Sequence, residues 1–303
     1  MKDIIRLATR NSPLALMQAN IVRTYLLNQK MFTDIELVPM STSGDTTDSV
    51  TFKNLGGKGL FLKELEMALA NETVDLAVHS MKDVPAIIDK MFGLVSVMKR
   101  ADPRDVFISY KYKSLDDIES GIIATSSPRR KTQLTNNYKN IRTVNLRGNI
   151  NTRLKKLKDE ELDGILLAKA GIQRMRLDDV ISETLEIEKF VPSPGQGILC
   201  LEYLAKNKNL GRKLVKLVDE DTQICAIVER LFAEKMQGDC DSPIGANASI
   251  KGSIICITGY VSSIDGTKYI KNSVKGRKND YKKLIDNLIE TFIKLGSRKL
   301  IKC

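Results

Sequence analysis

Polar residues with chemical potential gather at a few junctions of this 303-residue chain. Thr9-Arg10 ends an apolar run just before Ser12, and Ser80-Met81-Lys82-Asp83 ends another. Thr125-Ser126-Ser127 ends a third, with Arg129 and Arg130 directly behind it. Arg147-Gly148-Asn149 ends a fourth, with Arg153 about one helical turn further on, and Arg174 follows a fifth. Guanidinium groups grip carboxylates through paired hydrogen bonds, which fixes orientation as well as charge. Arginine near a helix start opposes the positive end of the helix dipole, so Arg129, Arg130 and Arg153 point to a reason beyond local stability. Any one of them reads equally well as a solvated helix-end residue. The whole set, at the ends of successive strands, implies a polyanion held in a cleft. Asp83 is the acid placed among these cations. Alone, Lys82-Asp83 is most simply a surface ion pair. In a basic cleft its carboxylate stays ionised, able to accept hydrogen bonds and stabilise a developing cation.

Cys240 lies in the loop Gln237-Gly238-Asp239-Cys240-Asp241-Ser242-Pro243-Ile244-Gly245. The flanking acids raise a thiol's pKa, which argues against a cycling thiolate but leaves open one permanent thioether. From the residues alone, an ordinary loop cysteine is the plainer reading. Cys200, Cys225 and Cys256 sit in apolar stretches and read as packing residues. Five scattered cysteines without a CxxC pair argue against a disulfide framework or a zinc site. The single histidine, His79, falls inside a strand and reads as a satisfied buried residue. Chemistry must therefore rest on carboxylates, cations and one thiol, with no metal.

The elements that place these groups alternate between strand and helix. Ile4–Ala8 is strand-like, and Ser12-Pro13 caps and opens a helix through Leu27. Ile35–Pro39 alternates as a strand, residues 44–59 are a glycine-rich loop, and Phe61, Leu65, Ala68 and Leu69 recur at helical spacing before the strand Val74–His79. The theme repeats: strand Ile122–Ala124, a helix capped by Ser127-Pro128, strand Thr143–Leu146, a helix, and the buried strand Gly164–Ala168. Ala8-Thr9-Arg10-Asn11-Ser12-Pro13 and Ala124-Thr125-Ser126-Ser127-Pro128 share one strand–turn–helix pattern, as two related α/β lobes would. In open α/β sheets, ligands bind where strands end and helices begin. Lys99–Asp105 and Val191–Gly197 read as two crossings between the lobes, the arrangement by which a hinged protein closes on a ligand. Beyond about residue 218 the pattern changes to helix, strands over Ser253–Tyr260 and a basic final helix, a small α+β domain.

With 42% hydrophobic and 28% charged residues the chain has an ordinary globular composition, and its length calls for two or three domains. Its apolar runs are strand-sized and it opens without a charged-then-apolar leader, so it is expected in the cytoplasm. Lys and Arg number 48 against 37 Asp and Glu, a formal net charge of +11. That excess suits nucleic acid or a small substrate with several carboxylates. Aromatic content of 5% and the absence of tryptophan weigh against nucleic acid. A non-enzymatic anion receptor would leave Asp83 and Cys240 without a purpose.

Several segments resemble the hydroxymethylbilane synthase (porphobilinogen deaminase) family: Ala8-Thr9-Arg10-Asn11-Ser12-Pro13-Leu14-Ala15, Gly56-Gly57-Lys58-Gly59-Leu60-Phe61, and His79-Ser80-Met81-Lys82-Asp83-Val84-Pro85. So do Ser126-Ser127-Pro128-Arg129-Arg130, Leu146-Arg147-Gly148-Asn149, Pro194-Gly195-Gln196-Gly197 and Gly238-Asp239-Cys240, in the family's order. The resemblance implies two lobes like type II periplasmic binding proteins, joined by a double hinge, plus a small α+β C-terminal domain. The expected boundaries are 1–98 with 198–216, 103–192, and 218–303. It implies a monomer that joins four porphobilinogen molecules head to tail on a dipyrromethane cofactor, held by a thioether at Cys240, and releases hydroxymethylbilane and ammonia. Asp83 takes the catalytic role. Lys82, Ser12, Thr125, Ser127, Arg129, Arg130, Arg147 and Gly148 bind cofactor; Arg10, Arg153, Arg174 and Gln196 bind substrate. Loop 44–59 would cover the cleft. Met17, Pro128 and Asp239 depart from residues common in the family.

Overall fold

The computed structural model describes residues 4–42, 62–238 and 242–301. Loop 44–59, Asp239, Cys240 and Cys303 lie outside them. The chain divides into two compact units, Met1–Arg100 with Ile198–Gln223 and Ala101–Gly197 with Ile224–Cys303.

The first unit contains β1 (Ile4–Arg10), α1 (Pro13–Asn28), β2 (Asp34–Met40), α2 (Lys63–Ala70), β3 (Leu76–Ser80) and β4 (Phe92–Val95). The second opens with β5 (Asp105–Ile108), β6 (Gly121–Ala124), α3 (Pro128–Asn137), β7 (Ile141–Val144), α4 (Ile150–Asp159), β8 (Gly164–Ala168), α5 (Lys169–Arg174) and β9 (Glu183–Thr184). The chain then returns to the first unit for β10 (Leu199–Leu204) and α6 (Lys208–Val215). α7 (Glu220–Lys235) leads back to the second unit, followed by β11 (Ile244–Lys251), β12 (Ile254–Ser262), β13 (Tyr269–Arg277), α8 (Tyr281–Lys294) and α9 (Ser297–Ile301).

Two sheets share one topology. The first runs β2-β1-β3-β10-β4 and the second β7-β6-β8-β5-β9. In each, three neighbouring strands are parallel, and the fourth is antiparallel to both strands beside it. That fourth strand is always the segment just past a crossing: β10 after Gly197 in one, β5 after Arg100 in the other. These are two α/β lobes of one strand order, with a three-stranded antiparallel meander, β11-β12-β13, as the sheet of the C-terminal α+β domain.

Strand period decides which face each side chain covers. Leu7, Leu76 and Val78 pack with Val22 and Leu26 of α1 and Leu210 and Leu214 of α6. Their neighbours Ala8 and Ala77 face the other way, onto Leu65 and Leu69 of α2. The second lobe repeats this, with Val106, Ile165 and Leu167 on one face and Phe107, Ile123 and Leu166 on the other. In the C-terminal domain, α7 and α8 cover one face of the meander. Phe232 and Phe292 meet edge to face at 4.9 Å above Gly259, where a Cβ would come within 2.6 Å of the Phe232 ring.

Several strands differ from the sequence-based expectation. Asp105 was expected to end a crossing and instead opens β5, a strand the sequence did not announce. β7 ends at Val144, because Thr125 N–H donates to the Val144 carbonyl and the Ser126 hydroxyl bonds the backbone of Leu146, turning the chain out of the sheet. Ser127 sits at the N-cap of α3 in extended conformation, but its hydroxyl makes no capping bond there. Ser12 does cap α1, accepting from Ala15 N–H at 3.3 Å.

Candidate active site

In the second unit, an antiparallel strand within a parallel sheet begins at the edge where its neighbours end. Asp105, the first residue of β5, therefore pairs across from Ala168, the last residue of β8. It lies at the carboxyl edge of the lobe, fully buried, with Arg129 and Arg130 only 3% and 6% exposed. Asp105 Oδ2 accepts from Arg129 Nη1 at 2.7 Å, and Oδ1 accepts from Arg130 Nη2 at 2.8 Å and Nε at 3.1 Å. Gln196 Nε2 adds a third donor to Oδ1 at 2.9 Å and reaches the Pro103 carbonyl at 2.6 Å. Burial opposes charge on Asp105, but the two guanidiniums outweigh it and hold the carboxyl well below its ordinary range. Two cations against one anion leave this buried cluster with a formal excess of one positive charge. Arg129 and Arg130 are core residues rather than solvated helix-end groups, and the unfavourable dipole is offset by Asp105.

Arg129 Nη1 also donates to the Val191 carbonyl at 2.8 Å. Its Nε is buried without a hydrogen-bond partner. Thr125 is buried at the end of β6, where its hydroxyl accepts Ser127 N–H at 3.3 Å. Arg174 closes α5 and donates from Nη2 to the Gly197 carbonyl at 2.8 Å, beside Gln196. Burial pushes its pKa down to about 10, so the side chain remains a cation near neutrality. Arg147 is exposed just past β7. Gly148 has φ +112°, and a Cβ there would lie 2.7 Å from Thr152 Cγ2. That turn lets Asn149 cap α4 through Thr152 N–H at 2.9 Å and lets Arg153 Nε reach the Gly148 carbonyl at 2.7 Å. Of the second unit's expected groups, Arg129, Arg130 and Gln196 converge on one carboxylate.

The first unit carries the remaining groups. Arg10 ends β1, and Lys82 and Asp83 lie in a single 3-10 turn, Met81–Asp83, directly after β3. β1 and β3 are adjacent parallel strands, so all three stand at one carboxyl edge. Asp83 is half-buried, and among the described residues its carboxylate takes part in no hydrogen bond or ion pair. The turn is pinned from both sides: Met81 N–H donates to the Ile198 carbonyl at 2.9 Å, and the Ser80 hydroxyl accepts from Gln18 Nε2 at 3.0 Å. His79 is buried and its Nε2 lies 3.0 Å from Glu202 Oε2. Near them, burial and then the charge of Glu202 raise the pKa of Glu66.

Cys240 falls outside the described residues, but both ends of its loop are placed. Gly238 N–H closes α7 on the Ala233 carbonyl at 3.1 Å, and Ile244 starts β11. Glu229 of α7 is fully buried and accepts Gly195 N–H at 2.7 Å and Ala248 N–H at 2.6 Å. Ala246 N–H donates to the Pro192 carbonyl at 2.9 Å. The two elements that flank the cysteine loop are thus fastened to the segment that carries Gln196.

Asp105 and Glu229 were not singled out in the sequence. Each left a trace there: Asp105 stands between Arg104 and the apolar run Val106–Ile108, and Glu229 is an acid at helical spacing from Cys225 and Phe232. Among the described residues no group of three or more His, Cys, Asp and Glu is arranged to hold a metal, and no helix is long and apolar enough to cross a membrane.

Residues 5–212 match the family model described as porphobilinogen deaminase, dipyromethane cofactor binding domain, and residues 223–294 match porphobilinogen deaminase, C-terminal domain. The chain is 40% identical over 299 residues to the porphobilinogen deaminase of Alkaliphilus metalliredigens, covering 98% of this chain and 95% of that one. It is 40% identical over 303 residues to that of Francisella philomiragia, covering all of both chains. Among solved structures, the methionine-binding protein MetQ is similar at 14% identity with a TM-score of 0.45, over 76% of this chain and 96% of that one. The VFT2 domain of Bordetella pertussis BvgS, as a double mutant, is similar at 12% identity with a TM-score of 0.44, over 71% and 86%. Both are too distant to bear on the site.

Proposed function

The chain belongs to the porphobilinogen deaminase family, and from that membership we propose how its residues divide the work. It is a deaminating transferase of tetrapyrrole biosynthesis that joins four porphobilinogen molecules head to tail on a dipyrromethane cofactor, releasing hydroxymethylbilane and ammonia. The observation that carries the site assignment is the buried cluster of Arg129, Arg130, Asp105 and Gln196, with one uncompensated positive charge and an orphaned donor, Arg129 Nε. An unsatisfied buried N–H costs stability unless a ligand meets it. The acetate and propionate arms of a pyrrole are suitable acceptors, so these residues fit a carboxylated dipyrromethane.

Cys240 holds that group by a thioether, in a loop whose flanking elements are tied to residues 192–195. Lys82, Ser12, Thr125, Ser127, Arg129, Arg130, Arg147 and Gly148 bind it. Arg10, Arg153, Arg174 and Gln196 receive the carboxylates of incoming substrate and growing chain. When bound, the dipyrromethane supplies the free pyrrole carbon to which substrate units are joined. Asp83 accepts pyrrole N–H donors and, as the aminomethyl C–N bond of porphobilinogen breaks and ammonia leaves with the bonding electrons, stabilises the positive charge left on the substrate. The pinned turn at Met81 keeps that carboxylate in place. The domains divide at 1–98 with 198–216, 103–192 and 218–303, a reading supported by separate cores for the three sheets. The protein works as a cytoplasmic monomer that takes no nucleic acid. Supporting this, Arg129 and Arg130 are turned inward to Asp105 rather than presented as a surface stripe.

Intact mass tests the assignment. The purified protein should carry a surplus equal to two pyrrole units and colour with Ehrlich's reagent, and Cys240→Ser should show neither. A wild-type mass equal to the bare polypeptide, unchanged by porphobilinogen, overturns it.

A further inference from the structure

One buried acid of the first lobe stands apart from the groups that meet substrate. Glu202 of β10 is fully buried, with Oε2 3.0 Å from His79 Nε2 and Oε1 buried without a hydrogen-bond partner. In the antiparallel ladder of β10 and β3, Glu202 stands opposite Ala77, and Cys200 opposite His79. Glu202 therefore reaches His79 diagonally, on the face of the sheet that α2 covers. Glu66 of α2 offers no counter-charge there: burial and then the charge of Glu202 raise its pKa. A buried carboxylate with one orphaned oxygen costs stability, and a well-packed apolar pair would fill the same space at least as well. Stability therefore does not account for the pair.

Its place in the strand does. Ser80 alone separates His79 from the Met81–Asp83 turn. The end of β3 is held on both faces and along the backbone. On the α2 face, Glu202 holds the His79 ring, and the His79 carbonyl accepts from Cys200 Sγ at 3.6 Å. On the α1 face, the Ser80 hydroxyl accepts from Gln18 Nε2 at 3.0 Å. Met81 N–H then donates to the Ile198 carbonyl at 2.9 Å as the turn begins. We infer that Glu202 is a positioning residue: by fixing the His79 imidazole it sets where the Met81–Asp83 turn leaves β3, and so where the Asp83 carboxylate stands. The inference rests on the role proposed for Asp83.

Single-turnover kinetics with porphobilinogen on cofactor-carrying protein tests it. Glu202→Leu should lower kcat about tenfold, the effect of a slight misplacement of a reacting group. KM and the surplus mass should stay as in wild type, because the Asp83 contact that is lost is made in the transition state. Glu202→Gln keeps an acceptor for His79 and should recover most of the rate. In an Asp83→Asn background, Glu202→Leu should slow turnover no further, because the group it places is already gone. A merely structural role would slow both backgrounds by the same factor. Should Glu202→Leu not fold, the double variant His79→Leu with Glu202→Leu, apolar on both sides, takes its place in the same comparison. If Asp83→Asn turns over at the wild-type rate, the reading of the site fails. If Asp83→Asn is slow, and the Glu202 replacement either leaves kcat unchanged or lowers it equally in both backgrounds, that reading stands and the positioning role is overturned.

Discussion

Glu229 accepts the backbone N–H of Gly195 at 2.7 Å with one carboxylate oxygen, and with the other it accepts Ala248 N–H at 2.6 Å. One buried side chain of α7 thereby ties the crossing segment to the first strand of the C-terminal sheet. Alanine at 229 strands two buried donors, a cost on the order of 3 kcal/mol. Urea unfolding should show that loss, and hydrogen exchange at the Gly195 and Ala248 amides should accelerate more than at core amides such as Leu167. Equal acceleration at all of these sites would reject the local tie.

Asp105→Asn removes the carboxylate that Arg129 and Arg130 share. Breaking a buried ion pair and leaving its partner charges in place costs about 3–5 kcal/mol. The expected result is a lower urea midpoint with an unchanged m-value, read by circular dichroism. A midpoint within experimental error of wild type would mean that the cluster does not brace the second lobe.

Asp83→Asn should keep the surplus mass, because the substituted residue is not the anchor, and should lower kcat by about 100-fold or more. That is the range lost when one preorganised stabilising group is removed. Single-turnover kinetics with porphobilinogen on the cofactor-loaded variant separates this from a loading defect. Turnover near the wild-type rate would remove Asp83 from the catalytic role.

Asp102 has its pKa lowered from 3.8 to about 2: burial opposes the charge, but hydrogen bonds from the Arg104 side chain and backbone and from Lys169 outweigh it. A carboxylate with a depressed folded-state pKa contributes stability above its unfolded value and loses it as pH falls through the folded one. Stability of the wild-type protein should therefore decline from about pH 4 toward pH 2. Asp102→Asn should show a shallower decline in urea midpoints across that window. Superimposable pH profiles for the two proteins would contradict the assignment.

Local signals carried the parts of the fold that depend on local physics. Ser12-Pro13 marked the start of α1 correctly, and the apolar run at 164–168 marked β8. The same Ser-Pro signal at 127–128 placed α3 and its N-cap residue but not a capping bond, since the Ser127 hydroxyl makes none. β5 stayed hidden because a short strand completed by distant neighbours leaves little periodicity. β13 is the edge of its meander, mostly exposed and lysine-bearing, so only Ile270 and Val274 mark its core side. The arginines were legible by type and position. Their commitment was not, because Asp105 lies 24 residues from Arg129 and 91 from Gln196.

The strand order within the first lobe has a bearing on how the chain is made. β10 lies between β3 and β4, so β4 has no neighbour in its sheet until residues 199–204 are available. The second lobe's sheet needs only residues 105–184, a continuous stretch. On a ribosome delivering the amino terminus first, the later-synthesised lobe can complete its sheet before the earlier one. A nascent chain stalled short of Leu199 would expose two raw strand edges, at β3 and β4, which are targets for chaperones or for mispairing.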